Sequence, residues 1–187
     1  MMALAAAARD ADYPADIVCV VSNRPGAEGL KHAAAAGIAT KVIDHETHAT
    51  REAFEAALKQ YLQSQRLDFL ALAGFMRVLS PGFIEAWRDR MINIHPSLLP
   101  AYRGVNTHAR ALADGVTEHG CTVHMVRAEL DSGPIIGQAK VPVLAGDTAA
   151  TLAARVLIEE HRLYPQALAL LASGRIRIAG DQVKTSS

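Results

Sequence analysis

The sequence is poor in cysteine and aromatic residues, and it has no long uninterrupted apolar run. Its two cysteines, Cys19 and Cys121, both lie in apolar, strand-like segments, which indicates buried free thiols and not a disulfide or a thiolate metal site. No apolar stretch reaches the ~18 residues that a membrane-spanning helix requires. Residues 1–8 are apolar but have no basic segment before them, and Arg9 and Asp10 end the run. We therefore predict a first helix there and not a signal peptide.

Charge of either sign is scattered along the chain. The 19 basic and 19 acidic residues give a formal net charge of zero, and no run of like charge occurs. Nucleic acids and anionic membrane surfaces are bound by basic patches, so neither is expected as a partner. Free thiols and the lack of a membrane-spanning stretch together predict a cytoplasmic protein.

Strand and helix patterns alternate along a length that suits one domain, residues 1–187. Apolar runs bounded by turn residues predict strands at 17–22, 40–43, 69–73, 91–94, 121–126, 135–143 and 175–178. Periodicity and end signals predict helices at 28–36, 50–65, 81–87, 108–113 and 148–171, with Pro165 a kink or break in the last. This alternation predicts an α/β fold with a doubly wound, mostly parallel sheet. The polar end, 180–187, is predicted to be a mobile tail.

One strand end carries the residues of greatest chemical interest. Asn93 and His95 are two positions apart in an apolar strand, so both side chains point to the same face of the sheet. Pro96 then ends the strand because it has no N–H to donate to a ladder. Asp131, in a later loop, can supply a carboxylate that orients the imidazole. An amide, an imidazole and a carboxylate predict an acyl-transfer site that needs no metal and no nucleophilic serine or cysteine.

The segment around these residues resembles the signature of the folate-dependent formyltransferases. It reads Asn93-Ile94-His95-Pro96-Ser97-Leu98-Leu99-Pro100. Within that family, the resemblance to the members that formylate glycinamide ribonucleotide covers nearly the whole chain, through further blocks at 73–81, 119–124, 129–134 and 160–165. The resemblance implies a Rossmann-like formyltransferase fold, 10-formyltetrahydrofolate as the formyl donor, glycinamide ribonucleotide as the acceptor, a place in purine synthesis, and a monomer or homodimer without a metal.

The resemblance also implies roles for individual residues. Asn93, His95 and Asp131 match the catalytic trio. The folate-binding residues match Asn93 itself, Arg51, the segment Met76, Arg77, Val78 and Leu79, and a loop of Arg127, Ala128, Glu129, Leu130 and Asp131. Glu160 matches an acidic residue that contacts the ribonucleotide. Leu157 stands in the same patch, where some relatives carry a polar residue.

Several of these residues also have ordinary structural interpretations. Arg51 fits a solvated charge near a helix start, Met76, Val78 and Leu79 fit the core, and Glu160 fits an exposed helix face. His108 lies outside the matched blocks, and we expect it near the acceptor site or at a helix start, and not in catalysis.

Two alternative functions share the signature. A formyltetrahydrofolate deformylase uses water as the acceptor, but such enzymes carry a second histidine where this chain has Pro96. An inactive folate-binding remnant is the other alternative. It is suggested by the N-terminus, because family members begin with an apolar strand and a Gly-Ser-Asn turn that holds phosphate at a helix N-terminus. The resemblance therefore implies that the first strand and the phosphate loop are absent from this sequence.

Overall fold

A computed structural model describes residues 1–186 of the chain. Its helices are α1 Met2–Ala7, α2 Glu28–Ala35, α3 Arg51–Ser64, α4 Pro81–Ala86, α5 Thr107–Ala113 and α6 Ala149–Ala172, with a 3₁₀ turn at His45–Thr47. Its strands are β1 Cys19–Ser22, β2 Ala39–Val42, β3 Leu70–Leu72, β4 Met91–His95, β5 Glu118–Met125, β6 Ile135–Pro142, β7 Ile176–Ala179 and β8 Gln182–Thr185. No helix within the described residues combines the length and hydropathy needed to cross a membrane. The α/β alternation predicted from the sequence is confirmed.

The helices α3, α4 and α6 each begin at a short polar side chain that caps them. Thr50 accepts a hydrogen bond from the Ala53 amide at the start of α3, and Ser80 accepts one from Phe83 at the start of α4. Such caps satisfy amides that have no partner inside the helix. Of the kink or break predicted at Pro165, the break is wrong, since α6 continues through this residue. Buried residues on both sides, among them Tyr164 and Leu168, pack that stretch of α6 against the sheet.

Helices cover both faces of the sheet, as β4 shows most directly. Met91 packs with buried residues of α3 and α4, whereas the next residue, Ile92, packs with residues of α6 and α1. Neighbouring side chains on a strand point to opposite faces, so one strand contributes to two cores. This confirms the doubly wound architecture.

The strands pair in both directions. β1 pairs with β2 and β3 with β4 in parallel, whereas β4 with β5 and β5 with β6 are antiparallel. The connection between β5 and β6, residues 126–134, is shorter than the dozen or more residues that a parallel crossover needs, so an antiparallel return follows.

A slot separates the two parallel pairs. β1 and β3 are not hydrogen-bonded to each other, and a cavity of about 1050 Å³ lies between them, lined by Val20, Leu58, Leu70 and Leu168 among others. The carboxyl end of β3 at Gly74 and Phe75 also lines this slot. The slot therefore reaches the edge of the sheet at which α/β proteins bind their ligands.

The C-terminal end of the chain differs from the prediction. Residues from 180 onward were expected to form a mobile tail, but Gln182–Thr185 form β8 and pair antiparallel with β7. Gly180, with φ of +62°, permits the tight turn between the two strands. The sequence does not indicate this strand, because β8 is short and only Val183 in it is apolar. Ser187 lies outside the described residues.

Candidate active site

The carboxyl end of β4 places Asn93 and His95 side by side on one face, as the sequence predicted. In the antiparallel register, Asn93 lies opposite His124 of β5 and His95 lies opposite Thr122. Opposed residues in an antiparallel pair share a face, with their Cβ atoms about 5 Å apart. The pairing of β4 with β5 therefore adds His124 to the residues that the β4 motif brings together.

His95 is buried and held at both ring nitrogens. Its Nε2 lies 2.9 Å from the carbonyl oxygen of Tyr102, and because a carbonyl only accepts, Nε2 must carry a proton. Its Nδ1 lies 3.4 Å from Oδ2 of Asp131, and both side chains are 7% exposed. The predicted imidazole–carboxylate pair therefore forms, with Nδ1 as the nitrogen that faces the carboxylate.

Asp131 reaches this position from a loop with unusual backbone geometry. Its φ is +49°, in the left-handed region where Asp, Asn and Gly are the most tolerated residues. Its Oδ2 also accepts a hydrogen bond from the Gly104 amide at 2.9 Å. This bond ties the loop between β5 and β6 to the segment that follows the β4 motif.

His124 is a site residue that the sequence analysis missed. Its Nδ1 donates to the carbonyl of Met125 at 2.9 Å, which leaves Nε2 to accept from the amide of Asn93 at 3.4 Å. Nε2 also lies 3.6 Å from Oδ1 of Asp131. Burial, the largest effect, lowers the pKa of His124, so the neutral ring orients the Asn93 amide. His124 lies in an apolar strand, and nothing in the local sequence connects it to Asn93. The connection follows only from the register between β4 and β5.

A second group of aromatic rings lies around His95. The rings of His108 and His119 are 5.2 Å apart, and the ring of Tyr102 is 5.8 Å from His119, all edge to face. Burial lowers the pKa of both histidines, and the neighbouring charge of His95 lowers it further for His108. His108 lies in the first turn of α5, which agrees with its predicted place at a helix start.

The site has no thiol nucleophile and no metal cluster. Both cysteines are free, Cys121 buried and Cys19 half-buried, and burial raises the pKa of the Cys121 thiol to about 12. A thiol with that pKa stays protonated and unreactive at neutral pH. Within residues 1–186, no three or more His, Cys, Asp or Glu side chains are arranged to hold a metal ion.

The segment between β3 and α4 divides into exposed and buried residues. Met76 is 80% exposed and Val78 is 66% exposed, whereas Leu79 is buried in the core between α3 and α4. The guanidinium of Arg77 lies over the ring of Phe54 at 5.8 Å. Arg51, the first residue of α3, is half-exposed and 3.7 Å from its neighbour Glu52.

The loop of Arg127 to Asp131 divides in the same way. Ala128, Glu129 and Leu130 are exposed, and Glu129 accepts from Arg103 at 2.7 Å. The Arg127 side chain is only 12% exposed, and its guanidinium lies 2.6 Å from the carboxylate of Asp89. The structure therefore directs the side chain of Arg127 away from solvent.

The two residues expected at the acceptor side come together. Leu157 and Glu160, on α6, line a cavity of about 210 Å³ with Gly74, Ile94 and Tyr164. Ile94 lies between Asn93 and His95 on β4, but its side chain packs on the α6 face of the sheet, so the cavity and the trio lie on opposite faces of this strand. Burial raises the pKa of the Glu160 carboxyl, against the opposing effect of the amino terminus.

Comparison with known proteins shows which family model and which relatives the chain is similar to. The family model described as Formyl transferase matches residues 1–168. Phosphoribosylglycinamide formyltransferase of Escherichia coli is 46% identical over 159 residues, which are 85% of this chain and 75% of that protein. The trifunctional purine biosynthetic protein adenosine-3 of Gallus gallus is 49% identical over 164 residues. That alignment covers 88% of this chain but only 16% of the larger protein, so the chain spans about a sixth of that relative's length.

A solved structure extends the similarity to the fold. Glycinamide ribonucleotide transformylase 1 from Symbiobacterium toebii superposes with a TM-score of 0.95 at 44% sequence identity. The match covers all of this chain and 88% of that one. At this identity and overlap, the Rossmann-like fold expected from the sequence is confirmed.

Proposed function

The chain belongs to the formyl transferase family, and on that premise we propose that it transfers a formyl group from 10-formyltetrahydrofolate to the amine of glycinamide ribonucleotide in purine synthesis. The observation that carries the proposal is the buried pair of His95 and Asp131, 3.4 Å apart, beside the amide of Asn93. The relatives at 46% and 44% identity, a phosphoribosylglycinamide formyltransferase and a glycinamide ribonucleotide transformylase, support this acceptor over water.

Asn93 is proposed to stabilise the transition state. The amine nitrogen attacks the formyl carbon, a C–N bond forms, and the carbonyl electrons move onto oxygen. Asn93 has two N–H donors, and one of them lies 3.4 Å from His124. The second N–H is available to the oxyanion, and a donor of this kind contributes about 3–4 kcal/mol.

His95 and Asp131 are proposed to move the proton. The attacking nitrogen loses one proton, and the folate nitrogen gains one as its bond to the formyl carbon breaks, so the step is balanced without an added acid. Because Tyr102 occupies Nε2 of His95, Nδ1 is the nitrogen that exchanges the proton, and the Asp131 carboxylate stabilises the imidazolium. General acid–base catalysis of this kind contributes on the order of 10²–10⁴ in rate.

The substrates are proposed to enter from opposite sides of the trio. The folate lies between two exposed segments, Met76–Leu79 and the loop 127–131, with Arg51 near its charged end. Leu79 and Arg127 contribute through their backbone, since their side chains are buried or engaged. The ribonucleotide lies along the cavity of Leu157 and Glu160. We propose that residues 1–187 form one domain that acts in the cytoplasm as a monomer or homodimer, without metal, nucleic acid or membrane.

The test is formyl transfer from 10-formyltetrahydrofolate by the purified chain, with and without glycinamide ribonucleotide. Turnover that depends on the ribonucleotide is the expected result, and Asn93→Ala should reduce kcat by about 10²–10³-fold. Release of formate without the ribonucleotide would instead identify a deformylase. Folate binding with no turnover under either condition would also contradict the proposal and favour a binding function.

A further inference from the structure

We propose that Arg127 is a positioning residue, which clamps the base of the catalytic loop and thereby sets the distance between Asp131 and His95. The catalytic loop is defined here as residues 126–134, between β5 and β6. The inference rests on the proposed formyl transfer, but it gives Arg127 a task different from the folate contact that the family resemblance implies.

The guanidinium of Arg127 joins three parts of the chain. Its Nη2 lies 2.6 Å from Oδ1 of Asp89, in the turn before β4. The same nitrogen donates to the Gly180 carbonyl at 3.3 Å, and Nε lies 3.6 Å from Oδ1 of Asp181. Gly180 and Asp181 form the turn between β7 and β8. Arg127 therefore connects the catalytic loop to the strand that carries Asn93 and His95, and to the C-terminal hairpin.

Contacts at the base of the catalytic loop connect Arg127 to the part of the loop that carries Asp131. The Met125 amide donates to the carbonyl of Pro134 at 2.9 Å, which closes the two ends of the loop. Gly133 fits between them so tightly that a Cβ atom there would lie 1.8 Å from the Met125 carbonyl oxygen and 3.1 Å from Cγ of Arg127. The stem of Arg127 thus lies beside a residue two positions from Asp131, at a place where only glycine fits.

The rest of the loop is held weakly. Ala128, Glu129 and Leu130 are exposed, and an exposed ion pair such as Glu129 with Arg103 contributes little to stability. At the tip, Asp131 accepts a hydrogen bond from the Gly104 amide, and its carboxylate lies beside His95 and His124 at 3.4 and 3.6 Å. The ion pair of Arg127 with Asp89, whose side chains are 12% and 40% exposed, is therefore a restraint at the base of a loop whose tip must remain next to His95.

A role as folate ligand would need the guanidinium to leave these partners. Breaking this partly buried ion pair is unfavourable, because the charge left behind keeps part of its desolvation penalty. Such a cost would be paid at each binding event. Residues that fix a loop before the substrate arrives instead lower the cost of reaching the reactive geometry.

The experiment is a double-mutant cycle with Asp89→Asn, Arg127→Met and the double variant. Asn accepts the left-handed backbone of position 89, where φ is +59°, so this variant removes charge without disturbing the turn. We expect each single variant to reduce kcat by about 10–100-fold with little change in KM for the folate, and the double variant to be no worse than either. Glu118→Gln, which breaks the exposed pair with Lys140 at 2.9 Å, is the matched control and should retain wild-type kcat.

A second measurement needs no turnover. Hydrogen exchange of residues 128–133 should accelerate in both single variants and not in Glu118→Gln, since the loop loses its anchor. Arg127→Met raising the folate KM while Asp89→Asn leaves kinetics unchanged would overturn the proposal in favour of a ligand role. Unchanged exchange in the loop would overturn it as well, even if the wild-type chain proved to lack formyl transfer. A purely structural pair would lower the unfolding midpoint of both variants but leave kcat of the folded protein unchanged.

Discussion

The charge of Asp131 can be removed with little change in shape, and Asp131→Asn therefore tests the proposed chemistry most directly. Asparagine has the same size and tolerates the left-handed backbone that position 131 adopts, with φ of +49°. Its amide oxygen can still accept the Gly104 hydrogen bond that Oδ2 accepts at 2.9 Å. What the variant loses is the negative charge beside Nδ1 of His95.

The distance sets the size of the expected effect. At 3.4 Å and an effective dielectric constant near 20, a carboxylate attracts an imidazolium by about 5 kcal/mol. Desolvation of both buried groups offsets part of this attraction. We expect a net loss of about 3–4 kcal/mol in transition-state stabilisation, equivalent to a 10²–10³-fold lower kcat. Stability should not fall, because an amide costs less to bury than a carboxylate with one hydrogen bond.

The assay is steady-state formyl transfer beside thermal unfolding, with Asp10→Asn as the matched control. Asp10 is exposed and its side chain accepts from the nearby Asp12 amide, a bond that an asparagine oxygen can also accept, so its variant should match wild type in both measurements. Near-normal kcat for Asp131→Asn would refute the assignment of proton transfer to the pair with His95. A loss of stability that accounts for the loss of activity would show that Asp131 only supports the loop.

Three further predictions concern stability. Glu55→Ala should lower the free energy of unfolding by about 1–3 kcal/mol in urea titrations, since buried Glu55 accepts from both the amide and the hydroxyl of Ser80; an unchanged midpoint would contradict this role. Gly133→Ala should destabilise the protein and disorder its loop, because the new methyl group would overlap the Met125 carbonyl, and a wild-type thermal midpoint would refute the close approach. Burial lowers the pKa of His124 in the folded protein, whereas the unfolded chain protonates His124 below about pH 6.5. The free energy of unfolding should therefore decrease as the pH is lowered below that value, by up to about 1.4 kcal/mol per pH unit. His124→Gln should flatten that slope, and equal slopes in both proteins would show that His124 titrates alike in the two states.

Local geometry made the central part of the site predictable. Asn93 and His95 share a face because a strand alternates side chains with a period of two, and Pro96 must end the ladder. The helix starts at Thr50 and Ser80 were predictable for a similar reason, since a cap contacts an amide only three residues away. The resemblance to the family supplied Asp131, which no local pattern connects to His95.

Features that depend on distant partners were not predictable in this way. His124 was hidden until the register of β5 set it opposite Asn93. Arg127 matched a folate-binding segment, yet Asp89 and the β7–β8 turn hold its side chain. The same hairpin replaced the expected tail, because strand pairing between short polar segments leaves little trace in composition.

The sequence by itself determined the order of strands and helices, the chemistry at the end of β4 and the family of the chain. Only the tertiary structure decided which way β5 and β6 run, which ring nitrogen of His95 faces Asp131, and which arginine holds the catalytic loop. The physical reason is the range of the interactions. Backbone periodicity and capping act over a few residues, whereas ion pairs and strand register join residues such as Asp89 and Arg127, which are 38 positions apart, and they exist only once the chain has folded.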